Sequence, residues 1–188
     1  MEVKGTAIKW IPKYIKKKFG KKGFEQWLDA ISAEAYTIYS IPVADDDWFS
    51  LKTAFVEPMA NIAQLFYSWD LQKAAWEIGR HSADITLKGV VKMFVKMNSV
   101  DYFVAKMTEL LPTYYKPCAM EVVERTEGTA VVRITEFPGM DKAPEFRLAG
   151  WGERALEITG AKDVNVDITR AISNRDPYTE FKITWIPK

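Results

Sequence analysis

Residues 74–89, AAWEIGRHSADITLKG, hold the only histidine of the chain, His81, directly after Arg80. Imidazole titrates near neutrality and is a frequent metal and haem ligand, so its neighbours decide what it does. If residues 70–84 form one helix, then Glu77, His81, Asp84 and Lys88 share a face at spacings of four, three and four. That face is polar, and Ala74, Ala75, Ile78 and Ile85 lie elsewhere on the helix. A zinc site built on Glu77, His81 and Asp84 needs a further ligand, and no second histidine supplies one. The spacing predicts His81 as a solvent-facing or interface side chain supported by Glu77.

The second reactive group is Cys118, in the stretch LPTYYKPCAM, where it clusters with Tyr114 and Tyr115 between two prolines. A nucleophilic cysteine needs a base to draw off its proton, and only His81 is available, from a distant part of the sequence. With Met120 just beyond it, a buried structural thiol is the expected role. One cysteine also excludes an internal disulfide, a zinc ribbon and an iron–sulfur cluster. The glycines of GWGERALEITG lack the lysine and hydroxyl of a phosphate-binding loop, and no serine, histidine and aspartate are spaced as a hydrolytic triad. An enzyme working through Cys118 or His81 is the weakest functional reading.

The elements that position these groups follow from periodicity. Pro12 suits a first helical turn that runs towards Gly20, and GFEQWLDAI forms a second helical stretch. Ser32, Asp47, Asp70 and Ser99 are placed as N-caps of successive helices, with a restart near Gly89 through VVKMFVKM and a stop at Pro112. Beyond Cys118 the period changes to two. MEVVERT and TAVVRITEF flank a tight turn at Glu127–Gly128, FRLAGWGERALEITG returns to helix, and two further alternating strands centre on Val166 and Ile183. The predicted class is α+β: a helical N-terminal half packed on a four-stranded antiparallel sheet, with strand-strand-helix-strand-strand order in the C-terminal half. Residues 1–44 read as a helical extension and 45–188 as the ligand-binding-like domain, or the two as one domain.

Of 188 residues 48% are hydrophobic, which suffices for a sizeable core. The net charge is +1, but residues 1–23 carry eight lysines against Glu2, leaving the remainder at about −6. Such a body does not suit nucleic acid, which requires a concentrated basic surface. Lys13, Lys16, Lys17, Lys18, Lys21 and Lys22 surround Tyr14, Ile15 and Phe19, the pattern of a solvated helix docked by three apolar residues. Contact with an anionic membrane surface or an acidic partner is the rival reading. No stretch reaches the 18 apolar residues of a membrane span and none reads as a signal peptide, so a cytoplasmic protein is expected.

The order of elements, with the segments AWEIGRHSADITLKG, LPTYYKPCAMEVVE and GWGERALEITGAKDVNVDI…YTEFKITW, resembles the superfamily of 4-vinyl reductase domains, haem nitric oxide-binding domains and Golgi transport-particle subunits. The resemblance covers roughly residues 45–188. It implies a pocket between helices and sheet for an apolar or haem ligand, and often a homodimer. Its haem-binding members carry a Tyr-x-Ser-x-Arg motif for the propionates; TIYSIP does not supply it, which argues against haem, and no cofactor is expected. The metal-binding members use several cysteines, and no family site residue carries over. Trp76, Arg80, Tyr102, Tyr114, Tyr115 and Trp151 are the candidate lining of an apolar cavity. The expected function is a non-catalytic small-molecule-binding or sensory domain of bacterial signalling type, with a protein-protein adaptor as the alternative.

Overall fold

In the computed structural model, which describes residues 1–87 and 100–186, the chain is tied to itself at its first residues. Glu2–Lys4 (β1) pairs antiparallel with Trp48–Ser50 (β2) on one side and Tyr115–Lys116 (β3) on the other. Strands of two or three residues are too short to display an alternating pattern, so this ribbon has no sequence signature. Asp47, expected as a helix cap, instead accepts the Gly5 N–H at its carbonyl (2.8 Å), and the Lys4 N–H donates to the Tyr114 carbonyl (2.9 Å). The N-terminus is thereby fastened to the helix-to-sheet crossover.

The helices follow their capping chemistry. Gly5–Ile8 (α1) leads into Ile11–Ala30 (α2), which has Pro12 in its first turn and is broken at Gly20, where φ is 76°. The Ser32 hydroxyl accepts from Ala35 N–H (3.3 Å) and starts Ala33–Tyr39 (α3). A π-helical stretch, Lys52–Val56, runs into Glu57–Phe66 (α4); Pro58 has no N–H to donate just past that junction, and the Ala54 carbonyl four residues earlier accepts from the Tyr39 hydroxyl. The Asp70 carboxylate accepts from Lys73 N–H (2.9 Å) at the start of Leu71–Thr86 (α5). Val100–Leu110 (α6) follows, and Leu111–Thr113 forms a 3₁₀ turn at Pro112. The restart at Gly89, Lys88, and the side chain of Tyr102 lie outside the described residues. No helix of the described residues is long and apolar enough to cross a membrane.

Ala119–Thr126 (β4), Thr129–Glu136 (β5), Lys162–Arg170 (β6) and Thr179–Ile186 (β7) form one antiparallel sheet in the order β4-β5-β7-β6, with Lys142–Ile158 (α7) between the two hairpins. This is the predicted α+β arrangement. Bulges interrupt the outer pairings, in β4 between Val122 and Glu124, in β5 opposite Ala119 and Met120, and in β6 between Lys162 and Asn165 and again between Ile168 and Arg170. Ala130, Val132 and Ile134 of β5 and Phe181, Ile183 and Trp185 of β7 are buried on one face, as the alternation requires. Residues 1–44 contribute Val3, Ile8, Ile11, Ile15 and Trp27 to the same hydrophobic core.

The helical layer is joined to the sheet through α5 and α7. A Cβ on Gly79 would overlap the carbonyl oxygen of Arg147, and one on Gly150 would overlap the carbonyl oxygen of Trp76. The two backbones touch where each helix has no side chain. Charged groups flank the crossing. Arg80 donates to both carboxylate oxygens of Glu157 (2.9 Å each) and to Glu153, which also accepts from the Trp76 indole (2.8 Å). Arg154 bridges Asp84 (2.8 Å) and Glu157 (2.7 Å).

A methyl group at either crossing glycine must force the helices apart, so Gly79→Ala and Gly150→Ala are each expected to lower unfolding free energy by about 1–3 kcal/mol or more. At Gly152, on the same helix as Gly150, a methyl group would meet only the Met107 Cε, at 3.7 Å. Gly152→Ala should therefore be neutral or stabilising, since alanine favours helix. Urea denaturation of the three variants checks this, and equal losses at all three positions would contradict it.

Candidate functional site

A cavity of about 60 Å³ lies between the helices and the sheet. Its helical wall is Ser82 and Thr86 of α5, Met107 and Leu110 of α6, and Tyr114 beyond them. Val132 and Ile134, with Phe181 and Ile183, form the sheet wall. From α7 come Arg147, Leu148, Trp151 and Gly152. An outer hollow of about 270 Å³ shares Thr86, Met107, Leu110, Tyr114 and Trp151 with the inner cavity and reaches Leu87, Phe103, Lys106 and Thr113. The two Ser82 and Thr86 hydroxyls donate back to carbonyls of their own helix (2.8 Å each), which leaves the lining mainly apolar.

Arg147 is the exception. It is 5% exposed. One terminal nitrogen donates to the Ala7 carbonyl (2.7 Å), the other donates to the Tyr115 hydroxyl, and the guanidinium lies 5.2 Å from the centre of the Phe55 ring. Its Nε has no hydrogen-bond partner, and among the described residues no carboxylate pairs with it. Burial pushes the phenols of Tyr115 and Tyr39 up, against the pull of the Arg147 charge. Both therefore stay neutral and cannot act as its counterion at neutral pH.

The candidate lining residues divide accordingly. Tyr114 and Trp151 line the cavity; Tyr115 is buried one layer behind, on Arg147. Trp76 and Arg80 are instead engaged with Glu153 and Glu157 at the α5–α7 crossing. The side chain of Tyr102 lies outside the described residues. Arg147 is not among the residues that the sequence singles out. The available signal is a charge four residues before Trp151, on the edge of an apolar helical stripe.

His81 is directed to the opposite side of α5, its ring 5.2 Å from that of Tyr14 of α2. The polar stripe is a helix–helix seam. The Glu77 carboxylate accepts from Tyr14 (2.9 Å), Tyr67 (2.8 Å) and Lys18, and Asp84 pairs with Arg154. Burial raises the Glu77 carboxyl pKa, but the hydrogen bonds from Lys18, Tyr67 and Tyr14 outweigh it and hold it below the usual range. Among the lysines of the basic helix, Lys16 lies 4.0 Å from the Phe24 ring centre, Lys13 4.7 Å from that of Trp10, and Lys21 3.6 Å from Glu25. Among the described residues no three of His, Cys, Asp and Glu converge as metal ligands do. Cys118 is half-buried, and burial, with the nearby Glu136 charge, pushes its thiol up to about 12.

No family model and no curated protein sequence matches the chain. Solved structures match its fold along nearly the whole length. An H-NOX protein from S. oneidensis in the Fe(II) ligation state superposes with a TM-score of 0.72 at 11% identity, covering 97% of this chain and 95% of its own. The Fe(II) unliganded H-NOX protein from K. algicida gives 0.67 at 10% identity, covering 98% and 97%. A third structure, described in terms of haem redox potential and porphyrin distortion, gives 0.65 at 12% identity, covering 97% and 99%. The chain has the H-NOX fold, the haem nitric oxide-binding part of the resemblance. The expectation that haem is absent is overturned by these neighbours. It rested on the missing propionate motif and on the position of the only histidine on a polar stripe, whereas the fold shared over nearly the full length is that of iron and haem proteins.

Two outcomes follow from these environments. Glu77, lowered in the folded state, contributes stability that is complete above the ordinary carboxyl range near ~4.3 and is lost as pH falls through its folded value. Thermal melts from pH 7 to 3 should therefore show a smaller acid loss for Glu77→Gln than for the parent. Cys118, protonated at neutral pH, should alkylate with iodoacetamide far more slowly than free cysteine and accelerate as pH rises, read by mass spectrometry.

Proposed function

We propose that this chain is a ligand-binding sensory domain of bacterial signalling type, without catalytic chemistry, whose signal is an apolar small molecule held between the helices and the sheet. One observation carries the reading: mainly apolar side chains from α6, α7 and the sheet, with Ser82 and Thr86 of α5, line a cavity that shares Tyr114 and Trp151 with the outer hollow. Such walls exclude water and bury apolar surface, and a few polar groups fix orientation. A ligand there would press on α5 and α7 together, the two helices that share the glycine crossing.

Haem enters as one class of occupant because the neighbours with this fold include iron and haem proteins. The residues of the cavity offer it defined contacts. The open Nε of Arg147 suits a propionate carboxylate, and the Tyr114 hydroxyl and the Met107 and Met120 thioethers are the lining groups of kinds that ligate haem iron. Imidazole ligation is not offered, since His81 faces α2. Bound there, haem would supply an iron centre for a gas or redox signal.

Native mass spectrometry and absorption spectra of protein purified from cell extract are the first test, read together with titration of ligand-stripped protein by the neutral fluorophore N-phenyl-1-naphthylamine. Saturable binding is expected, and Val132→Phe, which fills the sheet wall, should weaken it at least about tenfold while circular dichroism stays unchanged. A Soret band identifies haem as the occupant; saturable binding without one identifies a metal-free apolar ligand. No retained molecule and no saturable binding would refute the reading. The homodimer implied by the family resemblance is read in the same spectrum.

A further inference from the structure

We infer that the ligand of this cavity is an apolar molecule carrying a carboxylate, and that Arg147 is the residue that receives it. The inference rests on the sensory reading above and narrows the ligand's chemistry. Arg147 lines the cavity and is 5% exposed, yet its described partners are all neutral: the Ala7 carbonyl, the Tyr115 hydroxyl and the Phe55 ring. Tyr39 and Tyr115, the titratable groups that feel its charge, are both raised by burial and remain phenols. Glu145, the carboxylate two residues before it on α7, is occupied by Thr179 (2.7 Å), the Ser173 N–H (3.2 Å) and the Ser173 hydroxyl.

Arg147 is a cation, so this site holds a buried positive charge with no carboxylate paired to it among the described residues. Its Nε, the one guanidinium nitrogen without a hydrogen bond, has no acceptor among the described residues. A carboxylate oxygen entering the cavity would satisfy that donor and neutralise the charge at once. A tail attached to it would lie among Met107, Leu110, Ile134 and Phe181, and a longer one would pass Trp151 into the outer hollow. Neutral apolar molecules gain the second set of contacts but leave the charge uncompensated. Thus the cavity discriminates by head group as well as by apolarity.

The test compares octanoate with 1-octanol by isothermal titration of the ligand-stripped full chain. The parent protein should bind octanoate roughly tenfold or more tightly than octanol, the value expected for a hydrogen bond to a charged group. Arg147→Met, which keeps the length and apolar volume of the side chain, should abolish the preference while leaving octanol affinity in place. Should that variant fail to fold, the parent alone decides: octanoate affinity must fall as pH drops through the acid's own carboxyl range near ~4–5, and octanol affinity must not. A porphyrin source of the carboxylate is separated by adding haem, whose Soret-monitored binding octanoate would then displace. Equal affinities for the acid and the alcohol in the parent overturn the anchor and leave the apolar cavity standing. Binding of neither overturns both.

Discussion

The close passage of α5 over α7 is the constraint on which the rest of this structure depends. Two glycines, Gly79 and Gly150, let the helices meet backbone to backbone, with the carbonyls of Trp76 and Arg147 in the space that methyl groups would need. Helices ordinarily pack about 8–10 Å apart, and side-chain size at the contact sets where in that range they lie. Removing the side chains from both partners draws α5 down towards the layer that covers the sheet. The ion pairs of Arg80 and Arg154 then fix the rotation of one helix about the other. They are partly exposed, and their value lies in geometry more than in energy.

That arrangement explains why a cavity persists in a chain so rich in large side chains. The crossing places Ser82 and Thr86 opposite Leu148, Trp151 and Gly152, where small residues alternate with a broad indole. Filling the gap by simple collapse would require α5 to approach further, which the touching backbones forbid. The buried Arg147 guanidinium adds to this. Taking a cation out of water costs several kcal/mol unless it is compensated, and hydrogen bonds to a carbonyl and a phenol recover only part of it. Such a residue is a poor choice for stability alone.

Much of this is legible from periodicity. The change from a period near 3.6 to a period of two after Cys118 locates the sheet, and Ser32 and Asp70 announce their helices because a cap is a local interaction. What the pattern conceals is non-local. Strand β1 depends on partners some 46 and 112 positions away, and no window of a few residues contains that information. The Glu77–His81 face is polar, as its spacing indicates, but its partners are Tyr14, Tyr67 and Lys18 from other parts of the helical layer, so it is a seam and not a solvated surface. Arg147 escapes notice for a related reason: a single arginine beside an apolar stripe looks like a boundary residue until the tertiary packing buries it. The glycine of the WEIGRH segment is visible, but its role becomes apparent only when Gly150 stands opposite.

The sheet has one further property. Its order, β4-β5-β7-β6, leaves the outer sides of β4 and β6 without a strand partner among the described residues, and an exposed strand edge is a template on which another chain can add. Both edges are spoiled for that purpose. The β4 edge carries Glu121, Glu124 and Arg125 and is bulged between Val122 and Glu124; β6 carries Lys162, Asp163 and Asp167 and is bulged at two points. Bulges disrupt the regular row of donors and acceptors, and bringing like charges into register repels a second copy. The ends of the sheet are thus poor templates for runaway strand addition and amyloid-type growth.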